Sequence, residues 1–236
     1  MRKRIINKIL LFLILMLLCA QVVNAMNFSE VYQLVWAKNT GGEKPDEYHS
    51  VIETNDGYIA VGVSYGTSNL WGNNGDRDGV IVKYNLDGTI AWARNEGGSE
   101  CDFYNSVVAA NDGYIVVGGS YSTNAPWGNN GNFDAIIIKY NLDGTVAWAK
   151  NTGGSDEEIY ESVAITGDGY IAVGYSLSSD GPWGANNGEL DAIITKYNLD
   201  GTIAWAKSVG GSTWDWYKSV SVTNDGYISV RLFGQY

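Results

Sequence analysis

Three segments bring an indole, two amides and a carboxylate together at nearly fixed spacing. They are Trp71-Gly72-Asn73-Asn74-Gly75-Asp76 with Asp78, Trp127-Gly128-Asn129-Asn130-Gly131-Asn132 with Asp134, and Trp183-Gly184-Ala185-Asn186-Asn187-Gly188 with Asp191. A tryptophan beside such oxygens has the chemistry to hold a sugar, the ring lying on an apolar face while polar groups take hydroxyls. The candidate ligand-binding set is therefore Trp71, Asn73, Asn74, Asp78, Trp127, Asn129, Asn130, Asp134, Trp183, Asn186, Asn187 and Asp191. The same oxygen donors suit Ca²⁺, the one cofactor the composition keeps open, although Asn-Asn-Gly-x-x-Asp departs from the acid alternation of a calcium loop. A plainer reading competes and is favoured: each Trp packs over its own sheet, and Asn and Asp bond loop backbone as Asx turns do.

Other chemistry has less support. His49 is the sole histidine, and once the leader described below is removed Cys101 is the sole cysteine, which disfavours zinc. Neither Ser nor Cys stands in a nucleophile motif. His49 aligns in the repeat with Asn105, Glu161 and Lys218, a variable column. A carboxylate pair could run glycoside hydrolysis, but the strongest carboxylates are repeated, and repeated acids read as structural. No catalytic residue and no metal ligand is assigned.

The elements that must position these loops repeat closely. Asp78 to Gly98 recurs at Asp134 to Gly154 and Asp191 to Gly211. It reads as two β-prone runs around Asp87-Gly88, a hairpin signal for a type I′ turn. A two-residue loop sets Leu86 opposite Thr89, Tyr84 opposite Ala91 and Lys83 opposite Trp92, with Lys139 and Trp148, and Lys196 and Trp205, equivalent. A cation over the indole is one expectation for these pairs; the Lys stem covering an interior Trp is the favoured one. A second hairpin turns at Asn55-Asp56-Gly57. Each unit thus has four strands, a to d, with tight a–b and c–d turns and long b–c and d–a connections.

The marker Trp recurs at Trp36, Trp92, Trp148 and Trp205. Four strands per constant period indicate an all-β fold, a β-propeller of four-stranded antiparallel blades. Expected boundaries are a lone strand d at 31–40, repeats at about 46–98, 102–154 and 158–211, and a partial repeat at 215–236. That partial repeat departs from the pattern at Val230-Arg231-Leu232-Phe233. The expectation is a four-bladed propeller with an incomplete last blade or an arc of a larger one, whose open edges allow self-association. The long loops should share one side, where binding is expected.

Residues 1–25 read as a secretory signal peptide: Arg2, Lys3, Arg4 and Lys8, then an apolar run, then Val23-Asn24-Ala25. The chain has 15 Lys+Arg against 26 Asp+Glu; the leader holds four of the basic residues and no acidic ones, so 26–236 carries 11 against 26, a formal −15. Such a surface repels nucleic acid and anionic membranes. Membrane insertion is not expected after cleavage.

The pattern Ser-Val-x-x-x-x-Asp-Gly-Tyr-Ile-x-Val-Gly followed by Lys-Tyr-Asn-Leu-Asp-Gly-Thr-x-Ala-Trp resembles the secreted β-propeller-type repeats of bacteria and archaea. The resemblance covers nearly all of 26–236 and departs in a shorter Asp-Gly turn and in the last unit. It implies an extracellular or cell-surface protein. The expectation is a secreted, non-enzymatic protein that binds carbohydrate or extracellular protein through its long-loop face. Two alternatives remain: a fragment of a carbohydrate-active extracellular enzyme, and a purely structural surface-layer component.

Overall fold

The computed structural model describes residues 35–66 and 71–233, with the side chains of 231–233 excepted. The chain divides into two units, Met1–Ala37 and Lys38–Tyr236. The proposed leader and residues 31–34 of the expected lone strand lie outside the described residues; 35–40 are described and carry no strand.

The second unit is all β. Strands β1 (Asp46–Thr54), β2 (Gly57–Ser64), β3 (Asp78–Asn85) and β4 (Ile90–Glu96) form an antiparallel sheet in the order of the chain. The pattern repeats in β5 (Asp102–Ala110), β6 (Gly113–Ser120), β7 (Asp134–Asn141) and β8 (Val146–Thr152). A third sheet comprises β9 (Glu158–Thr166), β10 (Gly169–Ser176), β11 (Asp191–Asn198) and β12 (Ile203–Val209). β13 (Asp215–Val222) and β14 (Tyr227–Phe233) pair as a two-stranded sheet. The central strands read as continuous apolar runs because both faces are covered. Ile115, Val117, Ile136, Ile137 and Ile138 are completely buried. The first strand of each sheet packs on the preceding one, β5 against β1, β2 and β3, β9 against β5, β6 and β7, and β13 against β9, β10 and β11. Successive sheets therefore stack face to face, the arrangement of propeller blades.

The c–d hairpins correct the expected turn. Gly88, Gly144 and Gly201 have φ of 77°, 80° and 80°, and no described non-glycine residue has positive φ. The Gly88 N–H donates to Asn85 O, and Tyr84 pairs with Ile90 while Lys83 pairs with Trp92. This is a three-residue turn closed by a left-handed glycine, with Ala91 as the extra residue, instead of a type I′ turn. It confines positive φ to glycine and frees Asp87 Oδ1 to accept from Thr89 N–H at 2.9 Å. The Lys–Trp register is as expected, but the ammonium does not stack on the indole. Lys83 Nζ reaches Asp56 and Thr54 at the a–b turn, and Lys139 pairs with Asp112 at 2.7 Å and Lys196 with Asp168 at 2.9 Å. Trp92 instead meets the next sheet, beside Tyr114 and the Cα of Gly144, and Trp148 likewise meets Tyr170 and Gly201.

Candidate functional site

The Trp-Gly-Asn-Asn loops are built as supports. Trp127 and Trp183 are only 7% and 6% exposed, and Trp71 is half-buried. Trp183 Nε1 donates to Thr195 Oγ1 at 2.7 Å, whereas Trp71 Nε1 and Trp127 Nε1 are buried without a partner. The amides hold backbone. Asn73 Nδ2 donates to Ser64 O and its Oδ1 accepts from Gly75 N–H; Asn129 and Asn186 repeat both bonds. Asn74, Asn130 and Asn187 give their N–H groups to Asp78, Asp134 and Asp191. These aspartates are at most 1% exposed. The plainer reading of these loops therefore describes their bonding, and two of the three indoles lack the surface for a sugar to lie on.

The same aspartates belong to a repeated clasp between neighbouring sheets. Asp102 accepts Gly98 N–H at 2.8 Å, Ser122 Oγ at 2.8 Å and Ser120 Oγ; Glu158 accepts Gly154 N–H at 2.6 Å and Ser176 Oγ at 2.7 Å. Asp46 and Asp215 receive Gly42 and Gly211 N–H at 2.7 and 2.8 Å. Burial raises the Asp78 and Asp134 carboxyls above the usual range, and the neighbouring Asp102 and Glu158 charges add to it. Their Oδ1 atoms are buried without a hydrogen-bond partner. A Cβ on Gly97 or Gly153 would lie 2.3 Å from that oxygen, so only glycine leaves room for the buried carboxylate. Among the described residues no group of three or more His, Cys, Asp or Glu side chains is arranged to hold a metal. The Gly-Gly pairs and the Ser-x-Ser after strand b were visible in the repeat but carry no expected role from sequence alone. In the last unit Phe233 stands opposite Asp215 in the register that Ser64, Ser120 and Ser176 hold elsewhere.

Residues that break the repeat gather elsewhere, along the first strands and the loop ends beside them. His49, Asn105 and Lys218 are skipped in their strand ladders, as bulged residues are, and Glu161 aligns with them. These side chains reach the neighbouring first strand. His49 Nδ1 donates to Tyr104 O at 2.7 Å, Asn105 Nδ2 to Tyr160 O at 2.9 Å, and Lys218 Nζ to Glu161 Oε1 at 2.5 Å. The variable column that argued against catalysis is thus the one that links first strands.

Beside this column the three junctions differ. At the first, Arg77 lies over the rings of Tyr65 and Phe103, 5.6 and 5.7 Å from their centroids, donates to Tyr65 Oη at 2.8 Å and bonds the free thiol of Cys101. Burial raises that thiol's pKa. At the second, Phe133 takes the Arg77 position and packs on Phe103 and Tyr121 at 5.8 and 5.2 Å. At the third, Leu190 takes it, and a cleft of about 540 Å³ opens beside Tyr175, Trp214 and Trp216. Glu157, Glu161 and Glu189 line it as well. Two further grooves, of about 500 and 590 Å³, lie between a–b turns at the opposite end of the sheets; the sequence assigns that end no role.

The fold and these junctions define a repeat-type β-sheet protein of propeller-like architecture. No family model matches the chain. It is 27% identical over 201 residues, 67% of its length, to an uncharacterized WD repeat-containing protein of Acanthamoeba polyphaga mimivirus. It is 27% identical over 139 residues, 54% of its length, to the regulatory protein FlaEY of Caulobacter vibrioides. The matched regions span only 14% and 15% of those two relatives. The WD-repeat similarity agrees with the stacked four-stranded sheets.

Proposed function

We propose that the chain is a secreted or cell-surface, non-enzymatic β-propeller protein, or an arc of one, that binds carbohydrate or extracellular protein on its long-loop side. The leader-like residues 1–25 support export. One observation carries the binding reading: the repeated loop residues are consumed in holding the sheets together, while the residues that break the repeat collect at one end of the first strands. The differences there change charge as well as size, from His49 and Asn105 to Glu161 and Lys218 and from Arg77 to Phe133 and Leu190, which a scaffold that only spaced other modules would have no reason to do. The surface moves from the Trp-Gly-Asn-Asn loops to the junction mouths around Arg77, Phe133, Tyr175, Leu190 and Lys218.

The test is a panel of immobilised polysaccharides and extracellular proteins, probed with the chain and with a variant whose third and fourth units take second-unit residues, Tyr175→Gly, Glu161→Asn and Lys218→Asn. Binding lost in that variant, with circular dichroism unchanged, supports the reading. Binding that survives it, or turnover of any polysaccharide, overturns it. A Trp127→Ala or Trp183→Ala change is unsuited as a probe, since each removes a buried indole at about 3–5 kcal/mol.

A further inference from the structure

We infer that the cleft at the third junction takes a primary ammonium group, presented by a lysine side chain of a basic partner peptide. The inference rests on the binding reading above and names the chemistry of its ligand. Three observations point to a cation. The first junction, built on the same frame, holds the chain's own guanidinium: Arg77 lies against Tyr65 and Phe103. The third junction substitutes Leu190 for Arg77, Leu177 for Tyr65 and Trp216 for Phe103, so the slot keeps one aromatic wall and loses the guanidinium. An indole is also the aromatic ring that attracts a cation best.

Second, the cleft already receives one ammonium. Lys218 Nζ stands 4.8 Å over the Trp216 ring and pairs with Glu161 at 2.5 Å. Third, the charge is uncompensated. With Lys218 matched to Glu161, the Glu157 and Glu189 carboxylates face the cleft with no basic residue among its other lining groups. Each spends one oxygen on a neutral donor, Glu157 on Tyr175 Oη at 2.6 Å and Glu189 on Trp214 Nε1. Those bonds fix the carboxylates beside the rings and leave their second oxygens for a ligand. Trp214 is 45% exposed, so an ammonium can approach its face, and Leu177 and Leu190 line the cleft where a lysine stem would lie. The same two acids repel an anionic ligand.

The experiment is an anisotropy titration of the full chain with a capped, dye-labelled peptide of four lysines spaced by glycine. Expected is saturable binding that weakens about tenfold in Trp214→Ala and about threefold in Glu189→Gln. Glu53→Gln, an equal charge change at the far end of β1, should leave it unaltered. Leu190→Arg, which supplies the cation of the first junction, should abolish it; if that variant fails to fold, Trp214→Ala and Glu189→Gln still decide. Binding that ignores all three changes, or that is equal for the N-acetyl-lysine peptide, overturns the inference. So does a glucosamine oligomer that binds more tightly and is lost in the same variants; that outcome removes the peptide while the long-loop binding reading stands. Failure of the binding reading itself would appear separately, in the panel of the preceding section.

Discussion

At the first junction Arg77 fills the space between Tyr65 and Phe103, and at the third Leu190 leaves that space open beside Trp216. The backbone around the two is the same: Asp102 N–H donates to Arg77 O, and Asp215 N–H to Leu190 O, both at 2.8 Å. One frame thus serves a closed mouth and an open one, and the choice is made by a few side chains that the frame does not use. The division of labour follows from chemistry. Buried backbone needs the same partners in every unit, so Asp, Asn, Ser and Gly recur, whereas a surface mouth has no such requirement and is free to differ.

The largest effect that would break this comparison lies in the glycine pairs. A Cβ on Gly154 would stand 2.4 Å from Asp180 Oδ1 and 2.6 Å from Ser178 Cβ, while on Gly211 the nearest atom among the described residues is 3.9 Å away. Gly154→Ala should cost about 1–3 kcal/mol as overpacking, and Gly211→Ala should be neutral or stabilising by a few tenths, through the unfolded chain. Urea midpoints check both; equal losses would mean that the third junction is as tightly filled as the second. The tyrosine pairs come next. Tyr104 and Tyr140 share a buried hydroxyl bond of 2.7 Å, as do Tyr160 and Tyr197, but Tyr197 also bonds Thr152 at 2.6 Å. Burial keeps all four phenols protonated, well above their usual range. Tyr104→Phe leaves Tyr140 unpaired at about 1–3 kcal/mol. Tyr160→Phe also removes the bond its hydroxyl donates to Thr195 Oγ1 at 2.8 Å, but Tyr197 keeps Thr152 and Thr195 keeps Trp183 Nε1, so it should cost less. Reversal of that order in thermal melts would contradict the assigned partners.

The four-strand unit was legible because its signals are local: a constant period, apolar runs of strand length and glycine at the turns. The c–d register held at Lys83 and Trp92, but the turn type did not, since sequence alone does not show Thr89 competing for Asp87. The site was less legible. Trp71-Gly72-Asn73-Asn74 displays the right groups for a sugar, and only the loop's own unpaired backbone decides that the amides turn inward. His49, Asn105, Glu161 and Lys218 stood out as a variable column. That a bulge carries them across to a neighbouring strand depends on contacts about 55 residues away in sequence.

A smaller effect of opposite sign sharpens the account of the clasp. Burial raises the Asp134 carboxyl, and the nearby Glu158 charge adds to this, so the folded chain binds its proton more readily than the unfolded chain. The buried charge therefore destabilises the fold at neutral pH, and the cost disappears as pH falls through the raised value toward the usual carboxylate range. Asp134→Asn keeps an oxygen for Asn130 N–H and places an amide where Oδ1 has no partner. A gain of about 1 kcal/mol at pH 7, or 2–4 °C in Tm, is expected. The gain should shrink as pH is lowered; a loss that does not vary with pH would show that the charge is wanted there.

The smallest effect belongs to the opposite end of the sheets, where the three full units share one lysine–aspartate pairing. Lys83, Lys139 and Lys196 each meet the acid of an a–b turn, and hydrogen bonding to the lysine lowers the Asp56, Asp112 and Asp168 carboxyls below their usual range. A lowered folded pKa gives stability that is present above the unfolded value and lost as pH falls through the folded one, the reverse of the clasp. The acids are 70–82% exposed, so water and salt screen the attraction. Asp56→Asn should cost no more than about 0.5 kcal/mol at pH 7 and less in 1 M salt. Lys83 is itself only 3% exposed and keeps a bond to Thr54. A loss of several kcal/mol that salt does not reduce would mean that the turn acid neutralises a buried charge, and that this end too is held by more than its hairpins.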